Sequence, residues 1–119
     1  MKKIIHVENS EFFRKLMRTF LEKEGFEVES FDSAQEANFS IGAGSGDMVI
    51  TAMTFHDIDG FDFVHKILES FSGPVIVVSS SVDKDLEEKL LDLGIRAALS
   101  KSGQWQESLK PHLASLKNS

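Results

Sequence analysis

The chain has 119 residues, 13 basic and 19 acidic side chains for a formal net charge of −6, two prolines and no cysteine. At this length one core can bury roughly 65% of the surface an unfolded chain exposes, so a single domain over residues 1–119 needs no disulfide or structural metal, and the missing cysteine excludes thiolate zinc sites and cysteine nucleophiles. The acidic balance argues against a nucleic-acid surface, and neither a signal peptide nor a run near the ~20 apolar residues that span a bilayer is present, so a cytoplasmic location without membrane contact is expected.

In chain order, short apolar runs alternate with longer amphipathic stretches, the pattern of a parallel sheet covered by helices. Ile4 to Val7 reads as the first strand. Asn9 or Ser10 then opens a helix in which Phe13, Leu16, Met17, Phe20 and Leu21 recur at helical spacing, with Arg14, Lys15, Arg18 and Glu22 on the other face. Gly25 ends it. Glu27 to Phe31 alternates as an edge strand does, and Asp32 or Ser33 caps a second helix through Ala37 and Phe39. Gly42 to Gly46 forms a loop before the strand Met48 to Met53. These glycines precede a strand, whereas a dinucleotide fingerprint needs them after a strand and opening a helix, so no nucleotide role follows. After the loop Asp57 to Gly60, a third helix carries Phe63, Val64, Ile67 and Leu68. Gly73 and Pro74 turn the chain into Val75 to Val78, the all-apolar run of a doubly covered central strand. Asp83 caps a fourth helix with Leu86, Leu90 and Leu91 inward and Gly94 at its end. Ala97 to Ser100 is the last strand, and Trp105, Leu109, Leu113 and Leu116 stripe a final helix that Pro111 is expected to kink or delay.

The expected fold is α/β, a doubly wound five-stranded parallel sheet with helices on both faces. Right-handed crossovers bring the loops after the first, third, fourth and fifth strands to one carboxyl edge. The side chains there are Glu8 and Asn9, Ala52 and Thr54, Ser79 and Ser80, and Lys101 and Ser102. This set resembles the CheY-like receiver domain of two-component response regulators. The resemblance covers essentially the whole chain, from KIIHVENS through DMVITAMTFHDIDG and PVIVVSS to LSKS. It implies the flavodoxin-like strand order 2-1-3-4-5 and an edge holding an acidic pair, a phosphate-accepting aspartate, a Ser or Thr, and a Lys.

In such a site a carboxylate attacks the phosphoryl donor to form an acyl phosphate, Mg²⁺ gathers the phosphoryl oxygens, and an ammonium and a hydroxyl take up the remaining charge. The resemblance implies Ser79, Thr54 and Lys101 as the phosphoryl-binding groups, Glu8 and Asn9 at the metal positions, and Ser79 with Ala98 at the switch positions. Ala52 falls where the phosphate acceptor belongs, and a methyl group can neither attack phosphorus nor bind a metal. Asn9 replaces the second acid, so the expected Mg²⁺ site is weak or absent and no other cofactor is expected. Ala98 replaces an aromatic switch residue, His56 stands where a proline is common, and Ser102 replaces a proline, so the Lys101 to Ser102 bond is expected to be trans. Two accounts of Ala52 stand: a natural pseudo-receiver that works without aspartyl phosphorylation, or a phosphoacceptor response regulator whose Asp was changed to Ala. Asn9, Ala98 and Ser102 favour the first; Ser79, Lys101 and the ordinary segment around residue 52 keep the second.

With no carboxylate at 52, a Glu8 to Lys101 ion pair across the edge is expected. Ser79 to Ser81 lack a nucleophile elbow, and His6, His56, His65 and His112 lack metal-ligand spacing, His6 reading as a packed, satisfied strand residue. Asp57 and Asp59 are too few for a calcium loop. A flavodoxin-like electron carrier is the rival of another class, but Glu8 at the first helix opposes the phosphate such a protein binds there. The expected function is a non-enzymatic signalling module whose partners, a histidine kinase, a chemotaxis or motility component or an output protein, dock on the fourth helix, last strand and fifth helix. Asp83, Lys84, Glu87, Glu88, Ala98, Lys101 and Gln104 lie on or beside that face.

Overall fold

The computed structural model describes residues 1–119, in which β-branched and other apolar runs alternate with capped amphipathic helices. The elements are β1 (Lys3–Val7), α1 (Glu11–Lys23), β2 (Glu27–Phe31), α2 (Ala34–Gly42), β3 (Met48–Thr51), α3 (Gly60–Ser70), β4 (Val75–Ser79), α4 (Lys84–Leu93), β5 (Ala97–Ser100) and α5 (Trp105–Lys117). All five strands are parallel, in the order β2-β1-β3-β4-β5. Alternation along each strand splits the core in two. Ile4, Met48, Ile50, Ile76 and Val78 face α1 and α5, while Ile5, Val7, Val49, Val75 and Val77 face α2, α3 and α4. The strand order reverses between β1 and β3, and such a reversal opens a crevice at the carboxyl ends of the strands.

Local chemistry sets the helix ends. The Ser10 hydroxyl accepts from Phe13 N, Ser33 from Glu36 N, Asp59 from Phe61 N and Asp62 N, and Asp83 from Leu86 N, each satisfying a donor with no partner inside its helix. Gly25 and Gly94 end α1 and α4 with φ of 97° and 116°. Gly60 is required for a different reason: a Cβ there would run into the Met53 carbonyl.

Several expectations need correction. β3 ends at Thr51; Ala52 N still donates to Val7 O at 2.9 Å, but the chain then turns away from the sheet. β4 extends to Ser79, which pairs with Ser100. α2 takes in Gly42. Pro111 does not delay α5, which runs from Trp105 through Lys117, because its missing N–H forfeits one bond on the exposed side while Trp105, Leu109, Leu113 and Leu116 anchor the other. Leu91 is 43% exposed, since α4 buries the line through Leu86 and Leu90 and a residue one position further on points about 100° away. For the same reason Leu16 lies at the margin of α1, whose buried line is Phe13, Met17 and Leu21. Phe39 is 84% exposed on α2.

Candidate functional site

The carboxyl-edge cleft has a volume of about 210 Å³ and is bounded by loop residues after β1, β3, β4 and β5. Glu8, Asn9, Ala52, Thr54, Ser79, Ser80 and Lys101 all line it. Ala98 does not, because it is buried within β5 on the α4 side of the sheet. Ser102 lies in the turn after β5.

Glu8 is the one carboxylate of the cleft, and it is only 1% exposed. Its Oε2 accepts from Ser10 N at 2.9 Å, and its Oε1 lies 2.7 Å from Lys101 Nζ. That second contact has ion-pair distance without hydrogen-bond alignment, so its attraction is mainly Coulombic. The expected pair across the edge is therefore formed. Arg14, expected on the outer face of α1, instead reaches back to donate to Glu8 O at 2.8 Å. Lys101 N donates to Ser79 O at 2.8 Å, and its ammonium stands 4.5 Å from the centroid of the Phe13 ring, a cation–π distance. Phe13 in turn packs on Trp105, ring centroids 5.1 Å apart.

The rest of the cleft is neutral. Ala52 contributes a buried methyl. Ser79 is 7% exposed and its hydroxyl has no protein partner, while Thr54 is exposed. The β5–α5 turn is built by serine: Ser100 Oγ lies 2.8 Å from Ser102 Oγ and accepts from Ser102 N at 3.3 Å. Every peptide bond is trans, Lys101 to Ser102 included.

His6 lies beneath this edge, packed as expected but not satisfied. It is buried, and its Nδ1 has no hydrogen-bond partner. Burial first, then the charges of Lys101 and Arg14, lower its pKa from 6.5 to about 3, so it is neutral. Asp57 accepts from Gln35 N at 3.0 Å and ties α2 to the β3–α3 loop, and Asp59 caps α3. No three His, Asp or Glu side chains converge as metal ligands. At the cleft itself both Glu8 oxygens are engaged, Asn9 offers a neutral amide and Ala52 offers nothing, a donor set that does not fit a divalent cation.

The sequence places Glu8, Ser79 and Lys101 at this edge, where they lie, and its strand ends give no sign that Arg14, Phe13 and Ser100 contact it. Arg14 was findable, since a guanidinium one turn inside α1 can fold back over the helix start. No helix is long and apolar enough to cross a membrane.

Residues 4–111 match the family model described as the response regulator receiver domain. The KDP operon transcriptional regulatory protein KdpE of Escherichia coli is 28% identical over 101 residues, covering 85% of this chain and 45% of that protein. The regulatory protein VanRc of Enterococcus gallinarum is 29% identical over 87 residues, covering 73% of this chain and 37% of that protein. The chain thus spans less than half the length of the curated relatives it matches. Its fold superposes on a Clostridium difficile two-component response regulator with a TM-score of 0.88, 19% identity and coverage of 99% and 97% of the two chains. On Vibrio cholerae chemotaxis protein CheY4 the TM-score is 0.82, with 21% identity and 98% coverage of each chain. With 108 of its 119 residues inside the family model, the chain belongs to the response regulator receiver domain family.

Proposed function

We propose that this receiver domain signals by binding other proteins and carries no phosphate at residue 52. The observation that supports this most strongly is the pairing of a buried methyl at Ala52 with an adjacent carboxylate and ammonium that already neutralise each other. An acyl phosphate needs a carboxylate nucleophile, and Ala52 stands at the acceptor position. Ser79, Thr54 and Lys101 are the remaining equivalents of the phosphoryl-binding groups, and Glu8 with Asn9 the remnant of a metal site that binds Mg²⁺ weakly if at all. Switching in the usual form is also gone, because Ala98 has no ring to change rotamer in response to Ser79.

The partners are signalling proteins of the cytoplasm: a histidine kinase, a chemotaxis or motility component, or an output protein. They dock on the face made by α4, β5 and α5, where Asp83, Lys84, Glu87, Glu88 and Gln104 are exposed. The domain is not an enzyme in this reading, and nucleic acid is not its ligand. A transcription regulator like the longer relatives would place DNA contact outside these 119 residues.

The test compares intact masses of the chain and its Ala52→Asp variant after incubation with Mg²⁺ and a small acyl-phosphate donor. Neither gains a phosphoryl group if the site has diverged as a whole. A phosphoryl gain in the Asp variant alone would replace this reading with the other, a working receiver from which only the acceptor is missing.

A further inference from the structure

The sheet ends on one side at β2, and an edge strand offers its outward backbone groups as a template for another strand. Glu8 N donates to Phe31 O and Glu27 N to Lys2 O, so Glu27, Glu29 and Phe31 bond inward to β1 while the backbone groups of Val28 and Ser30 face outward. The outward carbonyl of Val28 is nevertheless occupied. Arg18 follows Met17 of the buried line of α1, so its side chain leaves the helix about 100° away, and its Nη2 donates to Val28 O at 3.2 Å. Its Nε lies 3.4 Å from Glu22 Oε2, one turn further along α1, which holds the guanidinium in place over a Val28 that is only 5% exposed. The other edge is closed by different means: β5 is four residues long, Ala98 is buried, and the Ser100 carbonyl accepts from Gly103 N at 3.1 Å.

We propose that Arg18 guards the β2 edge, taking the Val28 carbonyl so that a second copy of the chain does not pair there. A half-exposed contact of this kind adds little stability, so its consequence lies in association. With Arg18 in place the row of outward partners is interrupted at Val28 O. Without it, Val28 and Ser30 present N–H and C=O in succession, and an antiparallel two-fold pairing sets Val28 against Ser30 of the second copy on both sides of the axis. That pairing also sets Glu29 against its own equivalent, but Lys3 lies 3.1 Å from the Glu29 carboxylate and offsets the repulsion. Charge on the strand therefore does not close this edge, and the guanidinium does.

Sedimentation velocity over a range of protein concentrations, with circular dichroism to establish that each variant is folded, tests this on the whole chain. Arg18→Ala is expected to self-associate about tenfold more tightly than the unaltered chain. Arg18→Gln, too short to reach the strand but still polar, serves as the second variant should Arg18→Ala not fold. Amide hydrogen exchange locates the contact: in the variant, the outward N–H groups of Val28 and Ser30 become protected as the concentration rises. A folded Arg18 variant that associates no more tightly than the unaltered chain overturns the proposal. So does tighter association without new protection at Val28 and Ser30, which would put the contact on another surface, such as the exposed Phe12 and Leu16 of the same helix.

Discussion

The two halves of the carboxyl-edge cleft are built on different principles. On the β1 and β5 side every charged group is engaged: Glu8 by Ser10 and Lys101, Lys101 by Glu8 and Phe13, and Arg14 by the Glu8 carbonyl. On the β3 and β4 side stand a methyl and hydroxyls, and the Ser79 hydroxyl has no protein partner.

The sharpest way to break this contrast is on the charged side. Lys101→Met strands Glu8 without its cation and is expected to lower stability by about 2 to 3 kcal/mol in urea unfolding. Adding Glu8→Gln should recover most of that loss, because the penalty lies in the unpaired charge. Simple additivity of the two substitutions would mean the pair contributes no coupling.

Next in size is a pH effect from beneath the same half. Folded His6 stays neutral to about pH 3, whereas in the unfolded chain it takes up a proton below about pH 6.5. The unfolded state therefore binds more protons between these values, and stability is lost as the pH is lowered through that window, with this group contributing a slope of up to about 1.4 kcal/mol per pH unit. His6→Leu should flatten the curve between pH 6.5 and 5, above most carboxylate titration. An unchanged slope would show that His6 is not held neutral.

The neutral half should hardly respond. Ser79→Ala and Thr54→Ala are each expected to change stability by less than about 0.5 kcal/mol, since no protein partner is lost. A larger loss from either would mean that the hydroxyls have structural bonds of their own.

Much of the fold was legible because its signals are local. Ser33 and Asp83 announce helix starts, Gly94 an end, and Val75 to Val78 a central strand. Glu8, Ser79 and Lys101 were legible because strand ends in a parallel sheet share one edge. What escaped was whatever depends on side-chain reach or on the angle of a helix over the sheet. Arg14 turned back toward Glu8, and Leu91 fell outside a buried stripe defined by Leu86 and Leu90. The missing partner of His6 Nδ1 was equally hidden, since residue spacing says nothing about which donors meet an imidazole in three dimensions.

The central claim is that this edge is already neutralised and does not respond to the ligands a phosphorylated receiver needs. Its most direct test is the amide NMR spectrum of the chain, recorded before and after addition of Mg²⁺ and an acyl-phosphate donor. The account predicts unmoved resonances for Glu8, Ala52, Ser79 and Lys101. Saturable shifts at those residues, spreading to α4 and β5, would contradict it.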